Sequence, residues 1–266
     1  LSFIFLVLDC QRENSYTFPH PLTTTTTNMN ITILQENLLR ALTATTRILS
    51  SKAQLPVLQH VLLSSEGGQL RATTTNMETT ESVWVGAKIE KEGGISVPSR
   101  LLTELVMTLP ADAVYLVVKD GSLVVSCGGT TATMPGMPPT EFPPVPPQKQ
   151  TAANKIPKDD FCAALSLVLF AAATDEGRPL LTGVKIRSEE KGLLLAATDG
   201  YRLSVKRVGV SLSQDTDLVV PARALGEVVR AAAEEKETTT LTISTKGEGE
   251  VVFGAGDTQI TTRTID

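Results

Sequence analysis

Only three cysteines occur in the 266 residues, Cys10, Cys127 and Cys162, and they are too far apart for a metal-ligand spacing or a disulfide framework. A reducing, cytoplasmic setting fits that usage. The two histidines, His20 and His60, do not combine with neighbouring residues into an H-x-x-x-H, Ser/His/Asp or Cys/His constellation. There is no G-x-x-x-x-G-K-[ST] phosphate loop, and the apolar run Leu1 to Leu8 is too short to cross a bilayer. A net charge of -5 excludes a uniformly basic coat for nucleic acid, while leaving room for a local basic face. These absences argue against a familiar catalytic triad or metal centre, and no cofactor is expected.

The length suits two domains of ordinary size. Residues 1–28 differ from the rest: the chain opens on Leu1, and Thr23 to Thr27 is a homopolymeric tract with neither a basic n-region before the apolar run nor a small-residue cleavage site after it. Clean periodicity begins at Met29. We therefore expect 1–28 to be leader sequence and 29–147 and 148–266 to be two domains.

Asn30 to Leu34 reads as a strand and Gln35 to Leu49 as an amphipathic helix, with Leu38, Leu42, Thr45 and Leu49 on one face and Arg40, Ala44, Arg47 and Ser51 on the other. Strands are expected at Val61 to Ser64, Leu70 to Thr75 and Glu81 to Ile89. A second helix, Arg100 to Leu109, follows Val97-Pro98-Ser99, where Ser99 is placed to cap it. Strands Ala113 to Val118 and Leu123 to Cys127 come next. Seven prolines between Pro135 and Pro147 then read as a linker.

The second half retraces the first. Ile33, Leu42, Pro56, Leu58, Val61, Thr75, Val97 and Pro98 each have a like residue 123 positions on, at Ile156, Leu165, Pro179, Leu181, Val184, Thr198, Val220 and Pro221. One fixed offset across helix, proline and turn landmarks indicates duplication of a domain. The order of elements predicts an α+β fold of antiparallel sheets with two helices per domain lining one face, the further helices being Lys158 to Ala173 and Ala222 to Ala233. In the second copy, Leu194 to Leu203 breaks on Asp199-Gly200, a hairpin signal, because glycine supplies the positive φ and aspartate bonds its own turn. Copy one has only Thr75-Asn76-Met77 at that place.

Thr198-Asp199-Gly200-Tyr201-Arg202-Leu203 resembles the second-domain signature T-D-[GS]-[HY]-R-[LM] of the bacterial DNA polymerase III beta subunit, the sliding clamp. Leu55-Pro56-Val57-Leu58, Val97-Pro98-Ser99-Arg100, Glu141-Phe142-Pro143 and Val219-Val220-Pro221-Ala222-Arg223 fall where that family has similar segments. The resemblance covers Met29 to Asp266. It implies duplicated clamp-type domains, the first two of three, with a third copy expected beyond Asp266. It also implies a full-length homodimeric ring around double-stranded DNA, with no catalytic role and no membrane partner. The implied partners are the replicative DNA polymerase catalytic subunit, the clamp-loader ATPase and other clamp-motif proteins.

Two sites follow from the resemblance. DNA contacts are expected on the outward stripes of the helices, at Arg40, Arg47, Arg100, Arg223 and Arg230, with Lys52 in the loop after the first helix; an ordinary solvated face is the alternative for all of them. A groove for a partner's linear peptide is expected at Leu181, Thr198, Gly200, Tyr201, Arg202 and Leu203, with core packing the alternative for the two leucines. A clamp-like fragment that binds partners without encircling DNA is a second reading. An enzyme using Asp175, Glu176 and Asp199 as acid/base groups is a third, though no nucleophile or matched carboxylate pair supports it.

Overall fold

The computed structural model describes residues 28–49, 55–145, 154–175, 177–210, 212, 215–236, 240–246 and 249–266. Lys52, Glu176, the boundary at 147/148 and all of the expected leader except Asn28 lie outside the described residues.

Copy one runs β1 (Asn30–Leu34), α1 (Gln35–Thr46), β2 (His60–Glu66), β3 (Gln69–Thr75), β4 (Thr79–Gly86), β5 (Lys88–Lys91), β6 (Gly94–Pro98), α2 (Ser99–Thr108), β7 (Ala113–Lys119), β8 (Ser122–Cys127) and β9 (Thr130–Pro135). Copy two runs β10 (Asn154–Pro157), α3 (Lys158–Leu169), β11 (Gly183–Glu189), β12 (Gly192–Thr198), β13 (Leu203–Val208), β14 (Asp217–Pro221), α4 (Ala222–Glu234), β15 (Thr240–Lys246), β16 (Glu250–Ala255) and β17 (Thr258–Arg263). The 123-residue offset maps the bounds of α1, β2, β3 and β6 onto those of α3, β11, β12 and β14 without adjustment. After α4, which is longer than α2, the offset grows to 128 at β8/β16 and β9/β17.

Each copy has its own apolar core. In α1 the buried set Leu38, Ala41, Leu42 and Thr45 follows helical spacing, and α3 repeats it with Phe161, Ala164, Leu165 and Val168. The helices of each copy pack as a pair, α1 on α2 and α3 on α4. They begin directly from strands: Leu34, Pro98, Pro157 and Pro221 stand at the N-caps and none gives a side-chain cap. A neighbouring carbonyl substitutes at α1, where the Gln35 amide donates to the Asp112 carbonyl at 3.0 Å.

Three sheets result, ordered β5-β1-β7-β8-β9, β10-β15-β16-β17-β4-β3-β2-β6 and β13-β12-β11-β14. The middle sheet joins the copies. β17 pairs antiparallel with β4 in the register Gln259↔Ser82, Ile260↔Glu81 and Thr261↔Thr80, and a Thr79–Thr262 hydroxyl contact of 3.1 Å adds to the seam.

Several expectations are corrected here. The helix expected to reach Leu49 ends at Thr46, and Ala44 is buried because α1 packs on β3 and β4 as well as on α2. Ser99 is the first helical residue rather than a cap, and its hydroxyl meets that of Thr46 at 2.7 Å. The strand expected over Glu81 to Ile89 is two, β4 and β5. The described part of the proline segment is docked: Phe142 is buried, and the Met137 amide donates to the Ser96 carbonyl at 2.8 Å.

Candidate partner-binding corner and helix faces

The β12–β13 hairpin closes at Thr198↔Leu203 with a four-residue loop, Asp199 to Arg202. The Asp199 carboxylate organises that loop. Its Oδ1 accepts from the Tyr201 and Arg202 amides, each at 2.9 Å, and its Oδ2 accepts from the Arg202 Nε at 2.9 Å. The amides of Arg202 and Tyr201 hold the carboxyl below its ordinary range. Thr198 Oγ1 spans the corner, donating to the Arg202 carbonyl at 2.7 Å and accepting from the Gly200 amide at 3.1 Å.

Copy one builds the same corner from other residues. Asn76 Oδ1 accepts from the amides of Glu78 and Thr79 at 3.0 and 2.7 Å, and Thr75 Oγ1 accepts from the Met77 amide at 3.1 Å. Met77 carries the positive φ of 75° that Gly200 carries at 92°. The turn is thus a property of the fold, and the side chains that follow it distinguish copy two. Gly200→Ala is expected to cost about 1 kcal/mol in urea unfolding, for the strain of a left-handed residue. The new Cβ would meet only the movable Arg178 Nη1, at 3.2 Å.

Those side chains are exposed. Tyr201 is 95% exposed and Leu203 68%, and Phe170, one residue past α3, is 58% exposed. The Arg202 guanidinium lies over the Phe170 ring at 5.5 Å from its centroid. Leu167 is exposed on α3, and its carbonyl accepts from Ser204 Oγ at 2.6 Å, tying the helix to β13. Leu181 is half-buried in the 3-10 turn Pro179–Thr182. The structure therefore brings Thr198 to Leu203 together, with Leu181 in the neighbouring turn. It adds Phe170 and Leu167, which the helical periodicity alone did not separate from core residues.

The corner is an open shelf. A concavity of about 420 Å³ is lined elsewhere, by Leu180, Lys185, Asp217, Val219, Thr264 and Ile265 among others, and none of the corner's own residues lines it. An open shelf with apolar anchors and one oriented guanidinium suits an extended chain better than an enclosed small molecule. Asp199 is occupied in holding the loop and Asp175 is exposed, so among the described residues the acid/base reading finds no paired carboxylate. Among the described residues no cluster of His, Cys, Asp and Glu could hold a metal ion, and no helix is long and apolar enough to cross a membrane.

The arginines divide into two groups. Arg40 and Arg100 are exposed and have no ion pair among the described residues, and Arg223 is exposed on the first turn of α4. Arg47 instead bridges the copies: both Nη atoms donate to Glu234 Oε1 at 2.8 Å, and its Nε lies 3.8 Å from Glu227. Arg230 is paired with Glu227 as well. Counting Arg47, the helices carry Arg40, Arg100, Lys158, Arg223 and Arg230 against Glu36, Glu104, Asp159, Asp160, Glu227 and Glu234. The helices are therefore balanced in charge.

Comparison with known proteins fits this geometry. Residues 29–146 match the family described as DNA polymerase III beta subunit, N-terminal domain, and residues 155–266 match its central domain. The chain belongs to the DNA polymerase III beta subunit family. It is 31% identical to the beta sliding clamp of Streptomyces coelicolor over 90% of this chain and 64% of that protein, and 30% identical to that of Synechococcus elongatus over 90% and 65%. The beta sliding clamp structure of Caulobacter crescentus superposes with a TM-score of 0.83 at 25% identity, over 90% of this chain and 65% of that one. The chain thus spans about 65% of the length of these relatives. The two matched domains of the beta subunit family coincide with the two copies, and the β12–β13 corner lies in the central one.

Proposed function

We propose that this chain contributes two domains of a DNA sliding clamp, a non-catalytic processivity factor. In full-length dimeric form it encircles duplex DNA in the cytoplasm and tethers the replicative polymerase. The observation that carries the reading is the contrast between the copies. Both build the same turn, but only copy two follows it with the exposed Tyr201, Arg202 and Leu203 beside Phe170. Copy one closes the same turn without any of those side chains, whereas an extended peptide with apolar anchors would use all of them. The polymerase, the clamp-loader ATPase and other clamp-motif proteins would engage this corner in turn.

Duplex DNA would meet the helix layer without base readout. Exposed Arg40 and Arg100 would touch phosphates, with Arg223 at the start of α4 as a further exposed contact, and Arg47 and Arg230 are held in ion pairs with Glu234 and Glu227. Loose contact of this kind suits a protein that slides and is retained by topology. The chain is expected to bind short duplex weakly and without sequence preference, with a log K against log [salt] slope of about −3. Replacing Arg40, Arg100 and Arg223 by alanine should bring that slope close to zero. Fluorescence anisotropy over a salt series checks this. Tight sequence-dependent binding, or a slope the triple variant leaves unchanged, would contradict it.

A further inference from the structure

A buried acid sits in the seam between the copies. Glu81 lies in β4, in register with Ile260 of β17 on one side and with Thr74 of β3 on the other. It is almost wholly buried, and its Oε2 finds no hydrogen-bond partner among the described residues. A carboxyl group so placed is tolerated with a proton and costly without one, because burial strips away the water that a charge needs.

The charges that face it come from both copies and cancel one another. α1 packs on β4 and brings Arg47, while α4 brings Glu227, Arg230 and Glu234. Arg47 is paired with Glu234, and Arg230 with Glu227. The two positions opposite Glu81 on β3 and β17 are uncharged, and the Thr74 hydroxyl is already committed to the Thr45 carbonyl at 2.6 Å. An ionised Glu81 would therefore add a negative charge to a set that is already neutral. Burial first, and then Glu227, raise its pKa to about 8. Each copy keeps an apolar core of its own, so parting the copies along the seam is the smallest movement that wets this carboxylate.

We infer that Glu81 is a proton-operated latch between the copies: protonated, it lets α1 and α4 close over the seam, and ionised, it parts β4 from β17 while both copies stay folded. Opening returns the carboxyl toward its ordinary value of 4.5, so the latch is shut at or below that pH. It opens as pH rises, with a midpoint above 4.5 and no higher than about 8. The latch does not depend on what the corner or the helices bind. The chain also carries its own reporter. Trp84, the single tryptophan, is buried further along β4, and its amide donates to the Asp257 carbonyl of copy two at 2.9 Å.

Acrylamide quenching of Trp84 in the whole chain, followed between about pH 5 and 9 without DNA or peptide, tests the latch. In wild type the quenching constant is expected to rise severalfold with pH, while the circular-dichroism spectrum stays unchanged. Glu81→Gln, which keeps the neutral shape, should stay shielded throughout. The decisive arm is Thr79→Cys combined with Thr262→Cys, because the two hydroxyls already meet across the seam at 3.1 Å. Oxidised, this double variant should stay shielded at every pH with Glu81 still in place, and reduced, it should follow wild type. Flat quenching in wild type, a rise that persists in Glu81→Gln or in the oxidised double variant, or a loss of circular dichroism along with the rise would each overturn the inference.

Discussion

Arg202→Ala and Leu203→Ala are each expected to weaken binding of a short peptide with leucine and phenylalanine anchors by roughly 10- to 30-fold, or about 1.4–2 kcal/mol. Arg202 is held from two directions, by the Asp199 carboxylate at 2.9 Å and by the Phe170 ring at 5.5 Å, so its guanidinium is preorganised to donate to a peptide carbonyl or carboxylate. Leu203 offers a large apolar face that is 68% exposed. Neither substitution removes a core contact, and unfolding midpoints should stay near wild type. Titration by isothermal calorimetry or anisotropy checks the loss. Unchanged affinity in both variants would remove the corner from the partner-binding account.

The second large effect concerns stability rather than binding. Glu81 in β4 is 1% exposed within the seam, and its Oε2 has no hydrogen-bond partner among the described residues. Burial, reinforced by the nearby Glu227 and Glu234 and opposed by Arg47 and Arg230, raises its pKa from 4.5 to about 8. The folded chain therefore keeps a proton on Glu81 that the unfolded chain releases near pH 4.5. The stabilisation this provides is full below the unfolded pKa of 4.5, falls as pH rises, and is lost once pH passes about 8. The loss across that window is on the order of 3–5 kcal/mol. Glu81→Gln keeps the neutral shape and removes the dependence. Relative to wild type, its stability should grow steadily between pH 5 and 8, as read by urea unfolding at each pH. Parallel curves for the two proteins would show that Glu81 is ionised in the folded state.

Much of this architecture was legible from one number, the 123-residue offset, because proline, turn and core landmarks are local and survive duplication. The offset carried the order of elements from copy one to copy two, and the Asp199-Gly200 pair itself marked the hairpin. Features that depend on distant partners were not legible. Arg47 reads as a solvated cation in its own helix, yet its acidic partner Glu234 lies 187 residues on. Glu81 looks like an ordinary strand-edge residue until β17 covers it. Ser99 follows a proline before a helix, which suggests a cap, but the strand runs into the helix without a break and the hydroxyl turns to Thr46 instead. Phe170 lies at the end of an apolar helix pattern, and only the fold, which leaves it 58% exposed beneath the Arg202 guanidinium, separates it from core residues such as Val168.

The central claim is that copy two, and not copy one, carries the peptide-binding corner. Amide chemical-shift mapping of the isotope-labelled chain on addition of the anchor peptide tests it most directly. The account predicts shifts at Phe170 and Gly200 to Ser204, with the equivalent corner at Thr75 to Thr79 unmoved. Equal shifts at both corners, or shifts confined to other surfaces, would contradict it.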